Sequence, residues 1–111
     1  MVSKSNKGIK NLPSNEQPRE KLEKYGVQSL TESELLAIII RTGNKNQSVL
    51  DLSRKILEEF DIKNLSLASL NQIIKYNGIK KAKGCQVLAC FELARRLSSF
   101  KNNKHEINSS E

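Results

Sequence analysis

The chain has 111 residues, which suits one small domain, and only 5% of them are aromatic, which limits the core to aliphatic side chains. Its net charge of +7 lies at the two ends: residues 1–24 carry six basic and three acidic groups, residues 25–75 carry six of each, and residues 76–111 carry seven and three. This pattern suggests a polyanionic partner, although ordinary solubilising lysines would give the same composition.

No run of residues approaches the length of a membrane span, and residues 1–11 lack the apolar segment of a signal peptide. We therefore expect a cytoplasmic protein with no membrane partner. Both chain ends are polar and basic, which predicts disordered tails over 1–11 and 101–111 around a folded part at 12–100.

Two helices are predicted in the first half of the chain. Pro18 near a start and Gly26 past an end frame a short first helix. Residues 31–34 read Thr-Glu-Ser-Glu, a capping box that opens a helix over the apolar run 35–40. This second helix is apolar on nearly every side, which is typical of a buried one. We interpret Arg-Thr-Gly at 41–43 as its C-cap.

Two further helices are predicted before residue 77. Ser48 and Asp51 open the first of them, and Ser69 with Gln72 forms a second capping box that opens a short helix. Residues 61–68 between these helices are predicted to be a connection. The longer helix has one apolar stripe at helical spacing, formed by Val49, Leu52, Ile56, Leu57 and Phe60.

A last helix is predicted to follow residues 77–84, which read NGIKKAKG, and to run to about Ser99. Its predicted inner face consists of Val87, Leu88, Phe91, Ala94 and Leu97. No strand with alternating polarity is evident. The sequence thus predicts an all-α fold, a small bundle of about five helices.

The side chains that could support catalysis or bind a metal are few. Cys85 and Cys90 would lie about 140° apart around a helix, so we expect buried, reduced thiols and neither a disulfide nor a shared metal. The one histidine, His105, lies in a predicted tail, so no zinc site and no Ser-His-Asp or Cys-His set can be assembled. The sequence therefore predicts no catalytic residue, no metal site and no cofactor.

The stretch NGIKKAKG at 77–84 allows three interpretations. A P-loop is excluded, because Gly78 and Gly84 are six residues apart and Cys85 follows where lysine should stand. A plain helix–helix turn would use Gly78 as a left-handed cap and leave the lysines in solvent. A helix-hairpin-helix, spanning about 69–97, would grip a phosphate oxygen with turn amides and the next helix's N-terminus.

In the third interpretation each residue of the turn has a role. Gly78 and Ile79 shape the turn, with Ile79 pinned into the core, and Ala82 lets the two helices pack closely. Lys80, Lys81 and Lys83 would reach phosphate, and Arg95 and Arg96 would add auxiliary DNA contacts. Lys80 stands where such hairpins have a second glycine; a positive φ there would cost a lysine roughly 1–2 kcal/mol.

Four stretches, taken in order, resemble the N-terminal domain of the RadC-type proteins, historically called DNA repair proteins. The stretches are LPSNEQPREKLEKYG, LTESELLAIIIRTG, SVLDLSRKIL and NGIKKAKGCQVLACFELARR. Together they cover about residues 12–98. The resemblance implies an all-helical domain that contains a helix-hairpin-helix and a role linked to DNA repair.

The sequence also departs from the family pattern. Gln17 stands where the family usually has Arg, and Asn46 and Lys80 stand where Gly is common. The JAB/MPN-type metal domain that follows in full-length members, with its His-x-His-Pro-Ser-Gly signature, has no counterpart here. The resemblance therefore implies a stand-alone or truncated module and no metallopeptidase activity.

Two functions fit these observations. One is a non-enzymatic, sequence-independent module that binds duplex DNA through its phosphate backbone. The other is a helical protein-interaction or regulatory module that docks to a JAB/MPN-type metal-domain protein without binding DNA.

Overall fold

The computed structural model describes residues 17–110, with side chains for residues 17–100. This part contains one 3-10 turn at Val27–Ser29, no strand and six α-helices. The helices are α1 (Pro18–Tyr25), α2 (Glu32–Ile40), α3 (Val49–Glu59), α4 (Ile62–Ser66), α5 (Leu70–Ile73) and α6 (Lys81–Ser110). The predicted all-α fold is confirmed. The chain divides into two compact units between Arg54 and Lys55, within α3.

The ends of α1 have the caps that the sequence predicts. Pro18 occupies the first turn, where its missing N–H would have had no partner. Gly26 adopts φ +97°, and its N–H donates to the carbonyl of Leu22 at 2.8 Å. A residue with a Cβ is strained at this φ, so glycine is required where the chain leaves the helix.

Helix α2 begins with the predicted capping box. The amide of Glu34 donates to the Thr31 hydroxyl at 3.2 Å, and the amide of Thr31 donates to the Glu34 carboxylate at 2.9 Å. Lys21 of α1 donates to the same carboxylate at 3.2 Å. The Thr31 amide and the Lys21 ammonium lower the pKa of Glu34, against partial desolvation. One side chain thus caps α2 and ties α1 to it.

The end of α2 is a C-cap with unusual geometry. Arg41 is the C-cap residue, and it adopts φ +78° although it is not a glycine. Its amide donates to Ala37, and the Thr42 amide donates to Ile40 at 3.0 Å, which closes a tight three-residue turn. A Cβ on Gly43 would lie 2.2 Å from the carbonyl oxygen of Gln47, so the returning loop requires glycine there.

The connection between α3 and α5 differs from the prediction. Residues 61–68, predicted as a connection, contain α4, because the Asp61 carboxylate accepts the amide of Asn64 at 2.8 Å and starts a short helix. Asp61 is therefore an N-cap. Leu65 of this helix is buried, so the segment contributes to the core of the second unit.

The predicted caps of α3 and α5 are confirmed. The amide of Asp51 donates to the Ser48 hydroxyl at 3.1 Å at the start of α3. At the start of α5 the amide of Gln72 donates to Ser69 at 3.2 Å, and the Ser69 amide donates back to the Gln72 side chain at 2.9 Å. These contacts fix the starts of both helices.

Helix α6 is longer than predicted. It continues to Ser110, so the predicted end near Ser99 is too early, and residues 101–110 of the predicted disordered tail are helical. The predicted tail at 1–11 lies outside the described residues.

The inner face of α6 is also shorter than predicted. Val87 is buried and Phe91 half-buried, whereas Ala94 and Leu97 are exposed. Cys85 and Cys90 are free and exposed, so the expectation of buried thiols was wrong. At 100° per residue, Cys85 lies about 160° around the helix from Val87, whereas Cys90 lies only about 60° from it. The buried side chains of the second unit are Ile56, Leu65, Ile73, Ile79 and Val87.

Candidate nucleic-acid interface

The turn between α5 and α6 is held by backbone hydrogen bonds on the α5 side. The amide of Tyr76 donates to Ile73 at 3.3 Å, and the amide of Ile79 donates to Tyr76 at 2.9 Å. Gly78 lies between them with φ +102°, a conformation that L side chains rarely adopt. Glycine at 78 is therefore required by the backbone, as the sequence predicts.

Ile79 anchors this turn in the core. Its side chain is 1% exposed, although Gly78 and Lys80 on either side of it are half-buried and exposed. The buried Ile79 side chain therefore fixes the distance between the turn and the core. The predicted role of Ile79 as an anchor agrees with this burial.

The close approach of α5 and α6 occurs at Gly84, not at Ala82. A Cβ on Gly84 would lie 2.7 Å from Cδ1 of Leu70 and 3.2 Å from Cγ2 of Ile74. Ala82 is exposed, so it cannot be the residue that lets the helices pack closely. Gly84 belongs to the stretch predicted to precede the last helix, so the sequence did not indicate this packing role.

Lys80 is not strained. Among the non-glycine residues of the described part of the chain, only Arg41 has a positive φ. The cost of 1–2 kcal/mol expected for a lysine at positive φ therefore does not arise. The carbonyl of Lys80 accepts the amide of Gly84 at 2.9 Å, so Lys80 is the N-cap residue that directly precedes α6.

The start of α6 carries positive charge from two sources. Lys80 and Lys81 are exposed and Lys83 is half-buried, while no acidic residue stands in the first turn. The first amides of a helix have no partner within it, and the helix dipole places its positive end there. Cations at this end oppose the dipole by about 0.3–1 kcal/mol each, so the dipole does not favour the exposed Lys80 and Lys81 at this position.

Arg95 and Arg96 do not join this cluster. Both donate to Glu92 of the same helix, Arg95 at 2.5 and 3.0 Å and Arg96 at 2.8 Å. These bonds lower the pKa of Glu92 to about 2. From the rise of 1.5 Å per residue, Arg95 lies about 21 Å along the axis from Lys81. The arginines form a separate, partly neutralised group.

Tyr76 braces the turn, a role that sequence reasoning missed. Its hydroxyl donates to the carboxylate of Glu59 at the end of α3. Desolvation, together with this carboxylate, raises the pKa of Tyr76 to about 12. Nothing local in the sequence indicates the contact, because the two residues are 17 positions apart and Glu59 matches a solvated face.

The described residues do not bring together three or more His, Cys, Asp or Glu side chains that could hold a metal ion. In the same part of the chain no helix is both long and apolar enough to cross a membrane.

The fold and the turn at 77–84 define an all-helical module in which a lysine-rich glycine turn precedes the longest helix. Residues 9–85 match the family described as UPF0758 N-terminal, and the chain belongs to this family, the RadC-like N-terminal region that the sequence resembles. No solved structure matches the chain.

Relatives of the chain are named only as UPF0758 proteins. One from Methanosarcina mazei is 50% identical over 92 residues, which are 83% of this chain and 40% of the relative. Two others come from Clostridium botulinum strain Alaska E43, 48% identical over 89% of this chain and 44% of the relative, and from Clostridium tetani, 46% identical over 87% and 43%. The chain thus spans about two fifths of the length of these relatives.

Proposed function

We propose that the chain is a non-enzymatic, sequence-independent DNA-binding module, and that its turn at 77–84 is a helix-hairpin-helix that grips backbone phosphate of duplex DNA. A link to DNA repair, which the RadC resemblance implies, belongs to the same proposal. The observation that carries it is the pairing of a hydrogen-bonded turn with exposed positive charge. Gly78 and Ile79 fix the backbone, and exposed Lys80 and Lys81 stand at the positive end of α6.

The arrangement favours phosphate because both sources of positive charge at the start of α6 attract an anion. The amides at the start of α6 and the helix dipole form one source, and the lysine side chains form the other. Lys80 and Lys81 lower the stability of α6 slightly, and a bound anion would explain why they stand at this end. A phosphate oxygen at the turn would reverse the sign of that interaction.

The expected binding is weak and sensitive to salt. If three to four phosphates are contacted, the logarithm of the affinity should fall against the logarithm of salt concentration with a slope of about −3 to −4. A dissociation constant of roughly 10⁻⁴–10⁻⁶ M at physiological salt is typical of non-specific binding. Tyr76 is held by Glu59, so base stacking on it is not part of the proposal.

The test is fluorescence anisotropy with a labelled DNA duplex at several salt concentrations. The variant Lys80→Glu with Lys81→Glu is compared with a matched control, Lys45→Glu with Lys63→Glu. All four lysines are exposed, and both variants change the net charge equally. We expect the turn variant to bind at least about tenfold more weakly and to lose about 2 units of salt slope, because two phosphate contacts are removed.

The control should lose only the small long-range attraction that any two lysines supply. If the turn variant and the control bind equally, whether as tightly as the wild type or equally more weakly, the turn is not the binding site. Thermal unfolding of both variants shows that they are folded. The turn variant should be no less stable than the wild type, since the new carboxylates favour the helix dipole.

The alternative is a protein-interaction or regulatory module that docks to a JAB/MPN-type metal-domain protein without binding DNA. The observation that favours it is Lys80, whose side chain stands where a glycine would let phosphate approach the backbone closely. If the wild type does not bind duplex DNA at low salt and co-purifies with such a partner, these results would favour this second function.

A further inference from the structure

The second half of α6 carries an apolar stripe that no described residue covers. Leu93, Leu97 and Phe100 are 68%, 55% and 60% exposed. At 100° per residue these three positions fall within about 60° of one another, on a side turned about 130° from the inward-facing Val87 and Phe91. The stripe is therefore distinct from the face that packs in the core.

Single exposed apolar residues are ordinary, but an aligned set on one helix is not. The spacings of four and then three residues match the seam of a helix that packs along another surface, with the side chains as successive knobs. We define Leu93, Leu97 and Phe100 as the α6 stripe. Its length, about two turns, suits contact with a single helix or groove.

We propose that the α6 stripe is a docking surface for the part of UPF0758 proteins that follows the segment matched by this chain. The matched relatives are more than twice as long as the segment they share with this chain, and the shared family region is the N-terminal one. The family match ends at residue 85, but the match with the Clostridium botulinum relative covers 89% of the chain and therefore includes Leu93 and Leu97. The stripe thus lies at the C-terminal end of the shared segment, next in sequence to the additional part of the relatives.

Charge disfavours a second copy of the chain as the occupant. Arg96 borders the stripe and is 72% exposed, and its Nε donates to Glu92 at 2.8 Å. A guanidinium has further N–H donors that a partner's carboxylate can use. Two copies packed through their stripes would bring two basic chains together, each with a net charge of +7. The complementary surface is therefore apolar and acidic at its border.

The two exposed cysteines of α6 provide a built-in probe. Cys90 lies one turn before Leu93, whereas Cys85 lies about 12 Å from Leu93 along the axis and serves as the internal reference. The experiment uses a full-length chimera in which residues 1–100 of this chain replace the matching segment of the Methanosarcina mazei relative. Iodoacetamide labelling of each thiol is followed by peptide mass spectrometry in the chimera and in the present chain.

We expect the ratio of Cys90 to Cys85 labelling rates to fall about tenfold in the chimera relative to the chain alone, because docking buries the stripe and requires opening before reaction. Leu93→Glu with Leu97→Glu in the chimera should give the ratio measured for the chain alone with the same two changes, which corrects for the effect of the new carboxylates on the Cys90 thiol. Ser98→Glu with Ser99→Glu, exposed on other faces of α6 and equal in charge, should leave the protection intact.

An unchanged ratio in the chimera would overturn the proposal, as would protection that survives the Leu93→Glu and Leu97→Glu changes. If Cys90 of the chain alone becomes protected as its concentration rises, and the same two changes abolish that protection, the occupant is a second copy and the proposal is wrong. Circular dichroism of the chain alone shows whether each variant keeps α6 folded. None of these outcomes depends on DNA binding.

Discussion

Replacing Gly84 by alanine tests the close packing of α5 and α6. Alanine normally stabilises a helix by about 1 kcal/mol relative to glycine. At this site the new Cβ would lie 2.7 Å from Cδ1 of Leu70 and 3.2 Å from Cγ2 of Ile74. Overpacking of this kind costs about 1–3 kcal/mol. We therefore expect Gly84→Ala to destabilise the protein by roughly 0–2 kcal/mol, against the sign of helix propensity.

A double-mutant cycle isolates the contact. Leu70→Ala removes the nearest atom, so in the Gly84→Ala background it should cost less than in the wild type by about 1 kcal/mol. The assay is urea unfolding followed by circular dichroism at 222 nm. Ala82→Gly, at an exposed position two residues away, reports the plain propensity effect and should cost up to about 1 kcal/mol.

Two results would refute this reasoning. One is a Gly84→Ala variant that is more stable than the wild type by the full propensity gain. The other is a cycle in which Leu70→Ala costs the same in both backgrounds. Either would mean that α5 can move away from Gly84 without loss, and that glycine at 84 is not needed for packing.

Three further predictions concern the turn and its surroundings. Gly78→Ala should cost about 1–2 kcal/mol in urea unfolding and should weaken duplex binding, because residue 78 has φ +102°. Tyr76→Phe should cost roughly 0.5–1.5 kcal/mol at neutral pH. The pKa of Tyr76 is raised from 10.0 to about 12, so this difference is complete below pH 10 and should close as the pH rises towards 12; a constant difference in unfolding experiments would contradict the contact with Glu59. Arg95→Ala with Arg96→Ala should reduce DNA affinity less than the lysine changes at the turn, since both arginines are bound to Glu92 and stand about 21 Å from Lys81. If anisotropy shows that the arginine variant binds more weakly than the lysine variant, the DNA-binding site lies further along α6, at the arginines.

The sequence predicted best those features that depend on residues three or four positions apart. The capping boxes at Thr31 and Ser69 need only a hydroxyl and a Glu or Gln three residues later, and both form as predicted. Gly26 and Gly78 likewise mark the positive φ of their turns. These features are fixed by local chemistry, which a single sequence displays in full.

Features that depend on distant residues were missed. The brace between Tyr76 and Glu59 joins positions 17 apart, and no local pattern announces it. The length of the packed face of α6 depends on how far the neighbouring helices reach, so the periodic apolar pattern could not show that it stops near Phe91. Helix α4 was missed for a different reason, because its cap at Asp61 was visible but its five residues give no period.

The strain expected at Lys80 illustrates a limit of family patterns. A glycine common at one position suggested a positive φ there, yet the chain carries lysine in an ordinary conformation. Glycine is used in proteins both for positive φ and for close approach of a ligand to the backbone, and a pattern does not separate these reasons. The geometry excludes the first reason at position 80. The second reason, close approach of a ligand to the backbone, remains. It bears on whether phosphate would bind through the turn amides or through the lysine charges.

Helix α6 carries both proposed surfaces, and their separation along it makes the two proposals independently testable. The turn lysines stand at its start, whereas the α6 stripe begins about 18 Å further along the axis, from the rise of 1.5 Å per residue. Contacts that far apart are expected to act additively unless a shared element has two arrangements. Leu93→Glu with Leu97→Glu should therefore reduce the duplex affinity of the chain no more than Ser98→Glu with Ser99→Glu, which adds the same charge, and the lysine changes should leave Cys90 protection in the chimera unchanged. If the stripe variant binds DNA more weakly than the serine variant while α6 stays folded, the stripe itself contacts DNA, which an apolar docking surface should not do.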